Sequence, residues 1–239
     1  MKIGQPLPDL LPPEFALAEL DAENAPELTA TDGRVARGQR TRRNVAEALM
    51  ELLREGDPEP TARAVAQRAG VSLRLVFHHF TEMDDLYHFV AALQLRRQWS
   101  EMPGISSKLA LATRVERTVA HRAALYEEVS AIRRALVRRI PSSKGVTVTI
   151  AAADSLLLED LKETFEPELA ALSASSRLEL LEAMDVATSW EAWERLRTGS
   201  LLQTRGARRV MTRMLDALCA PAVGARRSAH PGVAAVAVS

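Results

Sequence analysis

The chain has 239 residues, of which 47% are hydrophobic and 26% charged, a length and composition typical of a globular protein that can bury a substantial core. No apolar run approaches the ~20 residues needed to cross a bilayer, and no secretory signal is evident, so we expect a cytoplasmic protein without a membrane partner. One cysteine, Cys219, excludes an intrachain disulfide.

The formal net charge is zero, but the charges are segregated along the chain. Residues 1–33 hold one basic and seven acidic residues, a net charge of −6, and are predicted to form a flexible acidic arm. Residues 34–80 hold nine arginines and five acidic residues, a net charge of +4. Five of these arginines fall within the sequence RVARGQRTRR at 34–43, and such a cluster indicates contact with nucleic acid.

The first predicted helix covers residues 40–55 and ends at the proline-containing turn of residues 56–60. Its apolar residues follow the i, i+4, i+7, i+8 stripe of an amphipathic helix. They are Val45, Leu49, Leu52 and Leu53.

Two short helices joined by the sequence AGVS come next. Thr61 is suited to cap the first, at 62–69, and Gly70 to end it. Ser72 is suited to cap the second, which runs to Phe80. Two short helices behind a longer amphipathic one have the layout of a helix-turn-helix. A capping box at 81–84 then opens a fourth helix, which lasts to residue 102 and completes the predicted domain of residues 34–99.

The rest of the chain is composed of helix-length segments, at 106–140, 146–166, 168–198 and 203–219. The alternating sequence GVTVTI at 145–150 is interpreted as a β-branched helix start, since no partner strand is evident. Residues 221–239 are small and polar and are predicted to be disordered. The fold class is therefore all-α, with a helical domain at 105–220 after the helix-turn-helix domain.

The helix after Gly70 is the candidate surface for contacting the bases of nucleic acid. On a helical wheel, Leu73, Val76, Phe77 and Phe80 gather on one side and should face the core, whereas Arg74, Leu75 and His78 lie opposite. An arginine beside apolar and imidazole groups suits the major groove of DNA. Two alternatives stay open, namely that Leu75 is an ordinary surface residue and that His79 packs at a helix junction. Adjacent histidines project about 100° apart, so no metal site is expected.

The sequence TARAVAQRAGVSLRLVFHHFTEMDDLYHFV at 61–90 resembles the DNA-binding segment of the tetracycline-repressor (TetR) family over residues 39–99. The residues that match the family pattern are Thr61, Val65, Ala66, Ala69, Gly70, Val71, Ser72, Val76, His79, Phe80 and Leu86. The resemblance implies a homodimer with an N-terminal helix-turn-helix domain and a C-terminal helical domain that binds a small molecule and dimerises through its last two helices.

The resemblance also implies which side chains contact DNA. Phosphate or base contacts are expected from Arg37, Arg40, Arg43, Thr61, Ser72, Leu73, Arg74, Leu75, Phe77, His78 and His79. The chain departs from the family pattern at three places. Phe77 replaces a tyrosine, Met83 replaces a lysine, and Arg74 with Leu75 replaces a glycine–threonine pair. Two phosphate contacts are thereby lost and one arginine is gained.

The C-terminal residues are assigned less directly. Candidate ligand-pocket residues are His121, Tyr126, Asp154, Phe165, Met184 and Trp190, and each is also an ordinary core residue type. Candidate dimer-interface residues are Trp193, which is also a candidate for the pocket, and the stripe of Val210, Met211, Met214 and Leu218. The function that follows is a transcriptional regulator, a repressor released from a palindromic operator by a small molecule, with no cofactor.

Two rival functions differ in class. The acidic arm could contact a protein partner, or could fold over the basic surface as an autoinhibitor. An enzyme is the third possibility, and the sequence argues against it, because it contains no glycine-rich phosphate loop, no nucleophile elbow and no metal-ligand spacing.

Overall fold

The computed structural model of the chain describes residues 30–229, with side chains described for residues 36–220. Within this part of the chain every regular element is a helix, which confirms the all-α prediction. The chain forms two compact units. The first unit contains residues up to 102 together with 128–155, and the second contains 103–127 together with the residues from 156 onward.

Four complete helices and parts of two others build the first unit. They are α1 (Ala30–Arg54), α2 (Ala62–Arg68), α3 (Leu73–His79), α4 (Met83–Ser100), the C-terminal part of α5 (Leu111–Arg139) and the N-terminal part of α6 (Lys144–Thr164). Helix α1 begins ten residues before the predicted start, so the last residues of the predicted acidic arm are helical. The rest of that arm, at 1–29, lies outside the described residues.

The predicted stripe of α1 forms the centre of the first unit's core. Val45 and Leu49 are fully buried, and Leu53 nearly so. Phe80, at the end of α3, meets Phe89 of α4 edge to face with 5.6 Å between ring centroids. Edge-to-face rings add to the stabilisation from burial alone. The core thus joins α1, α3 and α4.

The start of α4 differs by one residue from the prediction. The capping residue is Glu82, whose backbone N–H donates to the Asp85 carboxylate over 3.1 Å. The predicted box at 81–84 was wrong, because Glu82 takes the extended backbone conformation and Met83 already begins the helix. The acidic residues still lie in the first turn, where the helix dipole favours them.

The second unit contains the remaining helical segments. They are the N-terminal part of α5, the C-terminal part of α6, α7 (Glu166–Ala170), α8 (Ala174–Thr188), α9 (Trp190–Glu194), a π-helical turn (Arg195–Gly199) and α10 (Thr204–Ala229). A single helix over 168–198 was predicted, and it is interrupted twice. Ser173 and Ser189 adopt extended backbone angles, and each side chain accepts a hydrogen bond from the backbone of the helix that follows. Serine caps a new helix in this way because its oxygen satisfies an otherwise unpaired N–H.

Helix α10 packs on the second unit through a stripe at four-residue spacing. Ala207, Met211, Leu215 and Cys219 are all fully buried. The helix continues past Pro221 to Ala229, so the first nine residues of the predicted tail are helical. Residues 230–239 lie outside the described part of the chain.

Candidate functional site

The turn between α2 and α3 is built from local hydrogen bonds. The Thr61 and Ser72 side chains accept from the backbones of α2 and α3 over 3.2 and 3.1 Å, as their predicted capping roles require. Gly70 has φ +66°, the left-handed conformation that glycine adopts without strain. Asn44 of α1 donates to the Ala69 carbonyl over 2.8 Å. The two short helices are therefore held in a fixed orientation against α1.

The buried side of α3 is rotated from the predicted one. Val76 and Phe80 are buried as expected, but Leu73 and Phe77, predicted to face the core, are 36% and 45% exposed. Leu75 is half-buried, although it was predicted to lie with Arg74 and His78 on the exposed surface that contacts DNA bases.

The cause of this rotation is the way α1 packs on α3. A Cβ at Gly38 would lie 3.8 Å from the His79 ring, and the Arg42 guanidinium lies 5.0 Å from the centroid of Phe80. Helix α1 therefore covers the side of α3 that carries His79. This contact fits the open alternative in which His79 packs at a helix junction.

The exposed face of α3 combines a guanidinium, an imidazole and apolar surface. Arg74 and His78 are exposed one turn apart, and the exposed parts of Leu73 and Phe77 flank them. The His78 ring also meets the His79 ring in an edge-to-face contact with 5.2 Å between centroids. The face that the sequence predicted is present, with Phe77 in place of Leu75.

The arginines of the basic segment divide into two groups. Arg37 and Arg40 are exposed on α1, and Arg43 is half-buried. Arg42 instead lies over the rings of Phe80 and Phe89, with 4.8 Å to the second centroid. A guanidinium over two aromatic faces is attracted by their negative π surfaces, so the charge of Arg42 stabilises the fold.

The end of α5 contacts the helix-turn-helix segment directly. Arg139 donates to Glu59 over 2.8 Å and to Asp84 over 3.2 Å, and its guanidinium lies 4.5 Å from the centroid of Tyr87. Arg138 donates to the Pro58 carbonyl. The α5 terminus is thus fastened both to the loop before α2 and to the start of α4.

A cavity in the first unit lies between α4, α5 and α6, and its α5 residues fall within the three turns before Arg139. Its volume is about 40 Å³, room for a water or two and far below the ~300–1,000 Å³ of small-molecule sites. Its walls are Ala91, Gln94, Leu95 and Gln98 of α4, Val129, Ile132, Arg133 and Leu136 of α5, and Thr149, Ile150 and Ala153 of α6.

Most of the cavity's polar side chains are already engaged by the protein. Gln94 donates to the Met50 sulfur of α1 over 3.0 Å. Gln98 makes a long contact, 3.4 Å, to a backbone carbonyl of α6. The Arg133 guanidinium donates to both oxygens of Asp154 over 2.9 and 2.8 Å. The Thr149 hydroxyl donates to its own helix.

None of the six predicted pocket residues lines this cavity. Asp154 is nearest, since it pairs with the lining residue Arg133. The other five, His121, Tyr126, Phe165, Met184 and Trp190, belong to the second unit. Tyr126 donates to a backbone carbonyl over 2.8 Å, and Phe165 and Met184 are fully buried. These side chains pack in the second unit, and their assignment to a ligand pocket stays a prediction.

The predicted dimer face is partly internal. Trp193 is 1% exposed and donates to Glu127 over 3.2 Å, and Met211 is fully buried, so neither has surface to offer a partner. The remaining predicted residues, Val210, Met214 and Leu218, form a half-exposed stripe along α10. Large apolar side chains are also exposed on α8, at Leu178 (63%) and Val186 (66%).

A second depression runs along the start of α10 in the second unit. It is open and lined largely by charged residues, which makes it unlike an enclosed site for an apolar ligand. The charged residues are Glu116, Arg205, Arg208, Arg209, Arg213 and Asp216.

Two further types of site are absent from the described residues. No group of three or more His, Cys, Asp or Glu side chains there is placed to hold a metal ion. No helix in the same part of the chain has the length and apolar character to span a bilayer.

Comparison with known proteins agrees with this geometry. Residues 45–90, from the middle of α1 to the middle of α4, match the family model of the bacterial regulatory proteins of the tetR family. The fold is similar to that of a transcriptional regulator from Rhodococcus sp. Rha1, with a TM-score of 0.61 and 15% sequence identity over 75% of this chain and 96% of that one. None of the curated protein sequences compared with the chain matches it.

Proposed function

Since this chain belongs to the TetR family of transcriptional regulators, we propose that it is a homodimeric repressor which binds a palindromic operator through α3 and leaves it when a small molecule binds. The observation that carries the proposal is the exposed pair of Arg74 and His78 on a helix whose two ends are fixed by Ser72 and by buried Phe80. A major groove about 12 Å wide admits such a helix.

The exposed face of α3 supplies the groups that distinguish base pairs. The Arg74 guanidinium can donate two hydrogen bonds to guanine O6 and N7, and His78 can donate to or accept from a neighbouring base edge. Leu73 and Phe77 offer apolar surface, which suits the thymine methyl group. We therefore assign sequence readout to these four residues.

Contacts with phosphate position the helix in the groove. Arg37 and Arg40 are exposed on the same helix that packs against α3, and Arg43 is half-buried beside them. Thr61 and His79 stand at positions that the family resemblance assigns to phosphate, and we propose them as further contacts, His79 through the part of its ring that α1 leaves exposed. Such contacts raise affinity for any DNA sequence and do not select a base.

Dimerisation is supported by the apolar surface on the last two long helices. The stripe of Val210, Met214 and Leu218 on α10 and the exposed Leu178 and Val186 on α8 are the surfaces that we propose to pair in a two-fold interface. A dimer with two copies of α3 about 34 Å apart would bind two successive major grooves.

The proposed effector site lies at the cavity between α4, α5 and α6, which has to enlarge to admit a ligand. Helix α5, which supplies one wall, continues beyond the cavity to Arg139, which contacts both sides of the helix-turn-helix segment. A ligand changes DNA affinity only by the difference in its affinity for the two conformations, so a cavity joined to α4 is well placed to act. We also propose a cytoplasmic protein that lies on the nucleoid when it is bound to DNA, which the match to a family of transcriptional regulators supports.

Selection of bound duplexes from a random pool tests the DNA-binding part of the proposal. We expect a palindromic motif with half-sites about one helical turn apart. Arg74→Ala should lose preference at one position per half-site, at a cost of about 1–3 kcal/mol. Arg117→Ala, a change at an exposed arginine of α5, is the matched control and should leave the motif intact. If the wild-type protein enriches no sequence motif from the random pool, the proposal is refuted.

A further inference from the structure

The exposed face of α8 places a carboxylate between two large apolar side chains. Leu178 and Val186 are exposed, and Glu182 lies one turn from each of them on the same face of the helix. Glu182 is exposed and makes no hydrogen bond or ion pair with any residue that the structure describes. A surface that covers the two apolar groups therefore has to supply a cation for Glu182, because burial of an unpaired carboxylate is costly.

The exposed face of α10 carries the opposite charge. Arg209 and Arg213 are exposed, and Arg213 lies one turn after Val210, at the edge of the half-exposed apolar stripe of this helix. Neither guanidinium forms a hydrogen bond or ion pair within the described part of the chain. Asp216, the one acidic residue in the sequence of α10, lies on the opposite side of the helix from Met214. The apolar stripe is thus bordered by positive charge.

These charges distinguish two ways of pairing the helices across a two-fold axis, in which every contact between the copies occurs twice. If each helix faced its own counterpart, the interface would bring carboxylate towards carboxylate and guanidinium towards guanidinium, which is unfavourable. If α8 of one copy faced α10 of the other, each Glu182 would meet an arginine and each apolar stripe would meet an apolar stripe. The second arrangement satisfies both the charges and the apolar surface.

We propose that α8 of each copy packs on α10 of the other, and that two reciprocal ion pairs between Glu182 and Arg213 fix this arrangement. This inference rests on the proposed function, since it assumes that the chain is a homodimer and that α8 and α10 form its interface. It adds which helix meets which, and a contact that selects the partner. A chain without the arginine at this place would leave Glu182 buried without a counter-ion.

Charge reversal in the full chain tests the pair, with the dissociation constant of the dimer measured by analytical ultracentrifugation at low salt. Glu182→Arg and Arg213→Glu should each raise this constant at least ~100-fold, because every dimer then contains two like-charge contacts. The variant with both changes restores both pairs with their charges exchanged, and its constant should lie within about tenfold of the wild-type value. Arg117→Glu, a charge reversal at an exposed residue of α5, is the matched control and should leave the constant unchanged.

Mixing the two single variants separates a lost contact from a folding defect. A copy with Glu182→Arg and a copy with Arg213→Glu have opposite charges at both contacts. The mixture should therefore form a heterodimer at concentrations at which each variant alone is monomeric. A variant that does not fold cannot be rescued in this way.

Two outcomes would overturn the pairing. One is a wild-type dissociation constant in either single variant, which is the result expected if each helix faces its own counterpart, because reversal then replaces one like-charge contact by another. The other is a mixture that stays monomeric. A wild-type chain that is itself monomeric at micromolar concentration would instead contradict the proposed homodimer, and the pairing with it.

Discussion

The imidazole ring of His88 lies directly against Gly145, the second residue of α6. A Cβ placed on residue 145 would come within 2.7 Å of two ring atoms of His88, which is closer than van der Waals contact allows. His88 is half-buried, and its pKa is lowered from the usual value by that burial. The contact brings α4 and α6 together at one end of the cavity-bearing unit.

Gly145→Ala should therefore destabilise the first unit, by about 1–3 kcal/mol, because the added methyl must push the ring out of its packed position. Gly38→Ala is the matched control within helix α1, where a Cβ would make only ordinary contact at 3.8 Å. That change should stabilise the helix by about 0.5–1 kcal/mol. Urea unfolding of both variants measures the difference, and equal effects would contradict the close packing at residue 145.

The sequence correctly predicted those elements that are determined by residues close together in the chain. Thr61 and Ser72 each bind a backbone N–H three residues away, so their capping roles can be seen in a short stretch of sequence. The apolar stripe at Val45 and Leu49 is equally local. Gly145 was placed at a helix start with no packing role, because its close approach to a side chain depends on a ring 57 positions earlier in the chain.

The parts that could not be predicted depend on distant residues. The rotation of α3, which exposes Phe77 and half-buries Leu75, is set by Gly38 and Arg42 on α1. A helical wheel gives the angular order of side chains but not the direction of the neighbouring helix. The cavity is likewise assembled from three helices, and no pattern within one helix marks its lining.

A buried ion pair in the second unit yields the next prediction. Arg114 and Glu168 are almost fully buried, with their closest atoms 2.5 Å apart, and Arg114 also donates to the Thr164 carbonyl. Glu168→Gln should cost about 3–5 kcal/mol of unfolding free energy, because it leaves the guanidinium charge buried without a counter-ion. Lys162→Gln is the control, since its pair with Glu159 is largely exposed and should be worth less than ~1 kcal/mol. Thermal unfolding of the two variants should separate them clearly.

His121 should make the stability of the second unit depend on pH. Burial, and next the positive charge of Arg122, lower the pKa of His121 to about 4, and its Nε2 atom is buried without a hydrogen-bond partner. The unfolded chain therefore binds a proton below pH ~6.5 that the folded chain does not. Above pH ~6.5 this difference has no effect on the free energy of unfolding. As the pH falls from ~6.5 towards 4, the free energy of unfolding decreases by a total on the order of 3 kcal/mol.

Urea unfolding at pH 7.5 and pH 5, followed by tryptophan fluorescence, measures this effect. His121→Asn removes the titrating group, so the loss of stability between the two pH values should be smaller in the variant than in the wild type. An identical loss in both proteins would show that His121 is not the group responsible.

Two of the three departures from the family pattern, Phe77 and Met83, lead to a prediction about salt. Phe77 is exposed on α3, and Met83 is half-buried at the start of α4. Met83→Lys should add one phosphate contact and steepen the plot of log affinity against log salt by about 0.9 per site. Phe77→Tyr adds a neutral hydroxyl, and it should raise affinity without changing the slope, because no counter-ion is released. Anisotropy titrations between 50 and 200 mM salt distinguish the two, and a steeper slope for Phe77→Tyr would contradict the assignment.

The acidic residues before α1 provide the last prediction, and it separates the two roles considered for the arm. Residues 1–29 hold six acidic residues and one lysine, a net charge of −5, and they precede the helix that carries Arg37 and Arg40. Negative charge tethered next to a DNA-binding surface repels phosphate and slows association. Deletion of residues 1–29 should therefore tighten operator binding at low salt, and the gain should shrink at high salt as the charges are screened.

A full-length variant in which the six acidic residues become Asn or Gln is the matched control for that deletion. If charge is the cause, this variant should bind DNA as tightly as the shortened chain, because both remove the same repulsion. A gain seen only on deletion would instead assign the effect to the bulk of the segment. If the DNA affinity of both proteins is unchanged, the arm is not an autoinhibitor. Contact with a protein partner would then be the remaining role to test.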